Sequence, residues 1–268
     1  MVPLPSQPTE TPLRVVVLTC GDLGIDVANA LKGSQNVDVV AVLSSPWLRR
    51  RLTLRGKIRH VVRTQGIGGL FHVLSAHLLP SPTPATHESA ALDSSIALVE
   101  IDDFHTPAGR AAFERLEADL GVVAGTYILR DGVFDIPRYG SINLHSGKTP
   151  EYRGAAPAFW ELYNGESAVG ITIHRVAAAL DAGDVLRQEL FPLDPAPDAD
   201  PMEYVERYRR DVLRPNGIRM LREVVREIAL GEAHPLPQNH RVAKTYRSPD
   251  YKAIRELRSR VQSRRKTK

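Results

Sequence analysis

The chain has 268 residues, 43% hydrophobic and 25% charged, which leaves room for one large domain with a small appendage and a sizeable core. Its longest apolar runs, Leu13–Cys20 and Val37–Leu43, fall far short of the roughly 20 residues that cross a bilayer, and no secretion signal opens the chain, so no membrane association is expected. One cysteine, Cys20, excludes an intrachain disulfide framework and fits a cytoplasmic setting, while much of the net charge of +4 comes from Arg49–Arg63 and Lys252–Lys268.

Residues 1–12, rich in Pro, Thr and Ser, read as a disordered leader. Arg14–Thr19 and Val37–Leu43 are continuous apolar runs split by a helical stretch, Ile25–Lys32, the pattern of buried parallel strands. The intervening Gly21-Asp22-Leu23-Gly24 lacks the spacing of a dinucleotide fingerprint, which argues against NAD. Residues 46–85 break the rhythm: a basic helical stretch, a flexible Gly66–Gly69 and three prolines from Pro80 to Pro84 suggest a helical insertion over the sheet. Ala97–Ile101, Asp119–Gly125 and Ser141–His145 then read as strands, with a helix over Pro107–Leu116. A short helix over Pro157–Asn164 precedes two strands, Gly170–Val176 and Val185–Leu190, that flank a loop, Ala177–Asp184. Met202–Leu230 has amphipathic helical spacing, with an apolar face long enough for a homodimer interface. Beyond it there is room for a hairpin and a last helix. The basic tail lacks interleaved aromatics and reads as a frayed, solvated helix end, so nucleic acid is not an expected partner. The architecture predicted is α/β, a Rossmann-like open, mostly parallel sheet with helices on both faces. Residues 13–190 would form the catalytic domain and 191–268 a C-terminal extension.

The chemistry concentrates between Ser141 and Gln188. Asn143 and His145 stand two residues apart at the carboxyl end of a strand, so their side chains share a face. Ligands of open α/β sheets bind beyond that end. There an amide N–H can donate to a carbonyl oxygen gaining charge, and an imidazole can donate to the same oxygen or relay a proton from an amine. Asp181, in the loop between the next two strands, is placed to set the histidine tautomer. Taken singly these features have plainer readings: Asn-x-His at a strand end usually makes backbone hydrogen bonds, and Leu-Asp-Ala-Gly-Asp-Val is usually a turn.

The whole stretch nevertheless resembles the formyltransferase family, which includes glycinamide ribonucleotide, methionyl-tRNA and amino-sugar N-formyltransferases. The matching pieces are Asn143-Leu144-His145, Pro150-Glu151-Tyr152-Arg153-Gly154, Asn164-Gly165, Gly170-Ile171-Thr172-Ile173-His174 and Asp181-Ala182-Gly183, ending at Gln188. Order and spacing agree, and the likeness extends over residues 14–190. It implies the formyltransferase fold, 10-formyltetrahydrofolate as donor, a primary amine as acceptor, and no metal. It also implies that Asn143 donates to the formyl oxygen, that His145 relays a proton and that Asp181 orients His145. The pterin pocket would form from Tyr127, Ile128 and Leu129 and from the backbone of Ala177, Ala178, Ala179 and Leu180. Thr172 and His174 would support the centre from behind.

One departure bears on the acceptor. Where purine and methionyl-tRNA enzymes typically show S-L-L-P, this chain has Ser146-Gly147-Lys148-Thr149-Pro150. That variant is similar to enzymes acting on nucleotide-linked 4-amino sugars. Lys148, Tyr152, Arg153 and Trp160 are the candidate acceptor contacts, Trp160 as packing or as a platform for a ring. Only about 36 residues follow Gly231-Glu232, whereas the nucleic-acid-binding barrel of methionyl-tRNA enzymes needs on the order of 100. The expected acceptor is therefore a nucleotide-linked amino sugar. Another amine, or hydrolysis of the formyl donor, would leave the same signature, and a non-catalytic folate- or nucleic-acid-binding protein is the alternative from another class.

Overall fold

The β-branched run near the N-terminus forms β1 (Leu13–Thr19) at the centre of a seven-stranded sheet in a computed structural model that describes residues 2–45 and 91–267. The insertion expected over 46–85 lies outside the described residues. After β1 come α1 (Leu23–Leu31), β2 (Val37–Ser44), β3 (Ala97–Glu100), α2 (Pro107–Glu114), β4 (Leu120–Val123) and β5 (Ser141–His145). The chain continues through a two-residue β6 (Arg153–Gly154), α3 (Phe159–Asn164), β7 (Ala168–Arg175) and β8 (Val185–Pro192). The sheet order is β3-β2-β1-β4-β5-β7-β8. Its strands pair in parallel up to β5, and β7 alone runs against its neighbours. The predicted open, mostly parallel sheet is present.

Alternation along the strands gives the sheet two apolar faces. Val16, Leu18, Leu43 and Val123 pack with Phe104, with Phe113 of α2 and with Leu129. Val15, Val17, Val122, Ile142 and Leu144 face the other way, toward α1 and the long C-terminal helices. Those helices are α4 (Pro201–Tyr208) and α5 (Arg214–Ala229), joined by a π-helical turn over Arg209–Leu213. Their apolar face, expected to be free for a dimer contact, is core instead: Val205, Leu213, Met220, Leu221, Val224, Val225 and Ile228 are all buried. Helices α4 and α5 complete the same core as the sheet.

Three further expectations change. Residues 2–12 are irregular but lie against the fold, with Thr9 N donating to the Ala229 carbonyl at 3.0 Å and Arg175 Nη2 to the Val2 carbonyl at 2.9 Å. The basic tail is a docked helix, α6 (Tyr251–Thr267), seated by buried Leu257 and Val261. Arg264 donates to the carbonyls of Leu162 (2.6 Å) and Tyr163 (2.9 Å) at the end of α3, and Arg265 to those of Pro197 and Ala199. Orphan carbonyls at a helix end need donors, and these arginines supply them. The expected hairpin is absent among the described residues. In its place β9 (Thr245–Tyr246) pairs in parallel with β6, and Leu236 bridges to Val185.

Helix α5 approaches β5 closely at Gly217, where a Cβ would lie 2.9 Å from Leu144 Cδ1. Leu144 sits between Asn143 and His145 on the opposite face, so this contact sets the strand that carries both. Gly217→Val is expected to cost about 1–3 kcal/mol by overpacking. A urea midpoint equal to the parent's would show that α5 is not seated so tightly.

Candidate functional site

Strand β5 brings Asn143 and His145 to its carboxyl end on one face, and antiparallel β7 sets His174 opposite Asn143 and Thr172 opposite His145. His174 Nδ1 lies 2.8 Å from the Arg175 carbonyl, which can only accept, so Nδ1 carries the proton and Nε2 accepts. Asn143 Nδ2 donates to that Nε2 at 3.2 Å, which fixes how the amide is turned. Thr172 Oγ1 donates to the Gly147 carbonyl at 2.7 Å and accepts from Gln188 Nε2 at 2.9 Å. Gln188 Nε2 also donates to the Thr149 carbonyl at 2.8 Å, so the loop after β5 is pinned onto β7. The Gly-Lys-Thr-Pro departure has a steric cause here. A Cβ at Gly147 would run into His145 Nε2 and the Tyr152 carbonyl.

Strand β7 ends beside the start of β5, where Arg175 pairs with Ile142, so the chain must turn back across the sheet to bring Asp181 to His145. Asp181 adopts φ +47°, a left-handed conformation that a non-glycine residue holds only when its surroundings impose it. The surroundings are visible. Gly154 N donates to Asp181 Oδ2 at 2.8 Å, and Gln238 Nε2 donates to the carbonyls of Asp181 (3.0 Å) and Gly183 (2.6 Å). Asp181 Oδ2 lies 3.6 Å from His145 Nδ1 and Oδ1 lies 3.6 Å from His174 Nε2, too long for hydrogen bonds and ion pairs only when the imidazole is protonated. Burial opposes the charge on Asp181, but the two imidazoles and the Gly154 N–H outweigh it and hold the carboxyl at about 2. Burial lowers the pKa of His145, with Asp181 and the Tyr152 carbonyl pulling the other way.

His145 Nε2 lies 2.7 Å from the Tyr152 carbonyl and borders a small cleft also lined by Trp160, Glu161 and Tyr246. Tyr246 stacks on Tyr152 and on Trp160, each with ring centroids 5.2 Å apart. Arg153 is buried, with Nη2 donating to Gln238 Oε1 at 2.6 Å and to His240 Nδ1 at 2.8 Å, while Lys148 pairs with Glu151 at 2.7 Å. On the other flank of β5, Val123 pairs with Asn143, so the chain leaving β4 passes beside it. There the Tyr127 hydroxyl donates to Asp103 Oδ1 at 2.9 Å and accepts from Phe104 N at 2.8 Å. Leu129 is core, whereas Ile128 is 64% and Leu180 37% exposed. Ala177 is half-buried, and Ala178 and Ala179 are exposed. Among the described residues no cluster of His, Cys, Asp and Glu forms that would hold a metal ion, and no helix is long and apolar enough to cross a membrane. Sequence reasoning missed Gln238, Tyr246 and Glu161. The only cue to the first is an extended Pro-Leu-Pro stretch just before it.

The fold agrees with the comparisons. The model of the family described as formyl transferase matches residues 13–211, and the chain belongs to that family. The family takes its formyl group from 10-formyltetrahydrofolate. The methionyl-tRNA formyltransferase of Geobacter sulfurreducens is 40% identical over 123 residues, 46% of this chain and 38% of that protein. That of Bacteroides fragilis is 31% identical over 166 residues, 62% of this chain and 49% of that protein. The chain thus spans less than half the length of these relatives. Among solved structures, a sugar N-formyltransferase from a Shewanella species superposes with a TM-score of 0.57 at 13% identity, covering 93% of this chain and 87% of that one. Glycinamide ribonucleotide transformylase 1 from Symbiobacterium toebii gives 0.55 at 19% identity, with 85% and 96% covered. These two likenesses are of fold.

Two predictions follow from the held carboxylate. Asp181 has its pKa depressed from 3.8 to about 2, so its contribution to stability is present above 3.8 and is lost as pH falls toward 2. In urea titrations the parent is expected to lose about 2 kcal/mol more than Asp181→Asn over that window; parallel pH curves would refute the depressed value. Gln238→Ala takes a donor from two loop carbonyls and one of two acceptors from Arg153, and is expected to cost about 1–3 kcal/mol, read from the thermal midpoint.

Proposed function

We propose that this chain is an N-formyltransferase that moves the formyl group of 10-formyltetrahydrofolate onto a primary amine, that of a nucleotide-linked amino sugar. The observation that carries the reading is the convergence of Asn143, His145 and Asp181 at the carboxyl end of β5, with a cleft opening at His145. The bound donor supplies an activated one-carbon acyl group. The exposed apolar side chains of Ile128 and Leu180, with Tyr127, Leu129 and the backbone of Ala177–Leu180, are the residues proposed to hold its pterin, since the face of a flat heterocycle covers such side chains favourably while its polar edge meets backbone groups.

Each side chain then has a role set by its surroundings. Asn143, its amide turned by His174, gives its second N–H to the formyl oxygen as negative charge gathers there. His145, kept neutral at pH 7 by its lowered pKa, takes a proton from the attacking amine. In the resting site the Tyr152 carbonyl holds the proton on Nε2. An acceptor entering the cleft replaces that carbonyl, and the neutral imidazole changes to the tautomer protonated at Nδ1 toward Asp181. Nε2 is then free to take the amine proton while the carboxylate stabilises the imidazolium that forms. The amino-sugar acceptor is supported by the aromatic wall of Trp160 and Tyr246, which suits a sugar or base ring, and by Gly147, which keeps the His145 edge clear. A second reading, an aminoacyl-tRNA acceptor, is favoured by the names of the sequence relatives.

The deciding assay measures formyl transfer from 10-formyltetrahydrofolate to TDP-, GDP- and UDP-linked amino sugars, with methionyl-tRNA alongside. Turnover with the tRNA alone would overturn the sugar assignment. Asn143→Ala and His145→Ala are expected to remove transfer with the fold intact, and Asp181→Ala to lower kcat by about 10²–10⁴; near-parent turnover in these variants would sink the proposed centre. The acidic limb of kcat/KM is expected below the ordinary imidazole value of about 6.5, and further down in Asp181→Asn, because the carboxylate raises the His145 pKa.

A further inference from the structure

Glu161 is the carboxyl group among the described residues that line the cleft, and the proposed steps leave it unused. It lies on α3 and is 2% exposed, yet neither carboxyl oxygen makes a hydrogen bond among the described residues. Two such oxygens withdrawn from water are costly unless a donor reaches them. The nearby charges are committed elsewhere. Arg209, the closest cation in effect, donates Nε to the Pro157 carbonyl at 2.8 Å and Nη1 to Glu206 at 2.7 Å. Arg153 is held by Gln238 and His240, the Tyr208 hydroxyl donates to the carbonyls of Phe191 and Pro192, and Glu166 accepts from Tyr152. Burial pushes the Glu161 carboxyl up to about 7, against the backbone N–H groups of Glu161 and Ala158 and the charge of Arg209.

The cleft that Glu161 lines is lined also by Trp160, Tyr246 and His145. A carboxylate beside aromatic faces, with no cation of its own, matches a primary ammonium group, which gives N–H donors to the oxygens and charge to the rings. We propose that Glu161 is the binding site for the ammonium group of the acceptor, an assignment that deepens the formyl-transfer reading and rests on it for the acceptor's identity. An ammonium has no lone pair until it loses a proton. One proton passes from nitrogen to Glu161, leaving a neutral amine, and a second leaves the same nitrogen through His145 as the C–N bond forms and the donor nitrogen departs and takes up a proton.

Trp160 reports on the cleft directly. In a Trp47→Phe background, which leaves Trp160 as the only tryptophan, methylammonium chloride is expected to change the fluorescence saturably. Tetramethylammonium, which has no N–H, and sodium at equal ionic strength are expected not to. The apparent affinity should rise as pH is taken up through about 7 and fall about 10- to 100-fold in Glu161→Gln, the loss of one charge-assisted hydrogen bond. Glu161→Asp, which keeps the charge on a shorter arm, should retain a weakened response and so separates loss of the site from loss of the fold. No saturable response in the parent, or an equal one in Glu161→Gln, overturns the assignment. A methylammonium response without formyl transfer to any amino sugar would sink the proposed acceptor and leave the ammonium site standing.

Discussion

Asp181 is withdrawn from water on a loop that has to reverse across the sheet, and the arrangement around it follows from keeping that carboxylate charged. A buried carboxylate without donors takes up a proton or pulls its loop apart. Here the Gly154 N–H and two imidazoles face it, and Gln238 fixes its backbone from behind. Each of those partners has its own reason to be in place. His174 is carried by β7, in register with Asn143. Gly154 is carried by β6, which exists only because β9 pairs with it. The left-handed turn at Asp181 is therefore maintained by segments from three separate parts of the chain.

What the sequence made legible follows the range of the interactions. β1, β2 and β4 are visible because burial on both faces writes near-continuous apolar runs into a few adjacent residues. Asn143 and His145 are visible as a pair because alternation along a strand is local. Asp181 is different: nothing local separates it from an ordinary turn, and only the resemblance of the whole stretch pointed to it. Gln238 reaches Asp181 across 57 positions, and Arg153 reaches His240 across 87. Contacts that distant leave no periodic trace.

The misread segments share a cause. The tail from Lys252 looks solvated because composition records its charges but not the carbonyls waiting at the end of α3. The face of Met202–Leu230 looks free because amphipathicity shows that a helix has a partner without saying which. In both cases the partner is this chain's own sheet and short helix.

The two sides of the proposed centre are built differently, and this bears on what each can vary. On the donor side, the residues proposed to meet the pterin include the exposed apolar side chains of Ile128 and Leu180. The acceptor side is walled by Tyr246, whose strand reaches Arg153 and Gly154, and α3 carries Trp160 and Glu161 with its last carbonyls held by Arg264. A change in the segment beyond Gly231 that shifts β9 moves Tyr246 and Gly154 together, and so alters both the cleft wall and the grip on Asp181. Under the proposed function, acceptor choice and the competence of the histidine are coupled through that segment. It cannot be exchanged for another acceptor module without also replacing the support of the carboxylate.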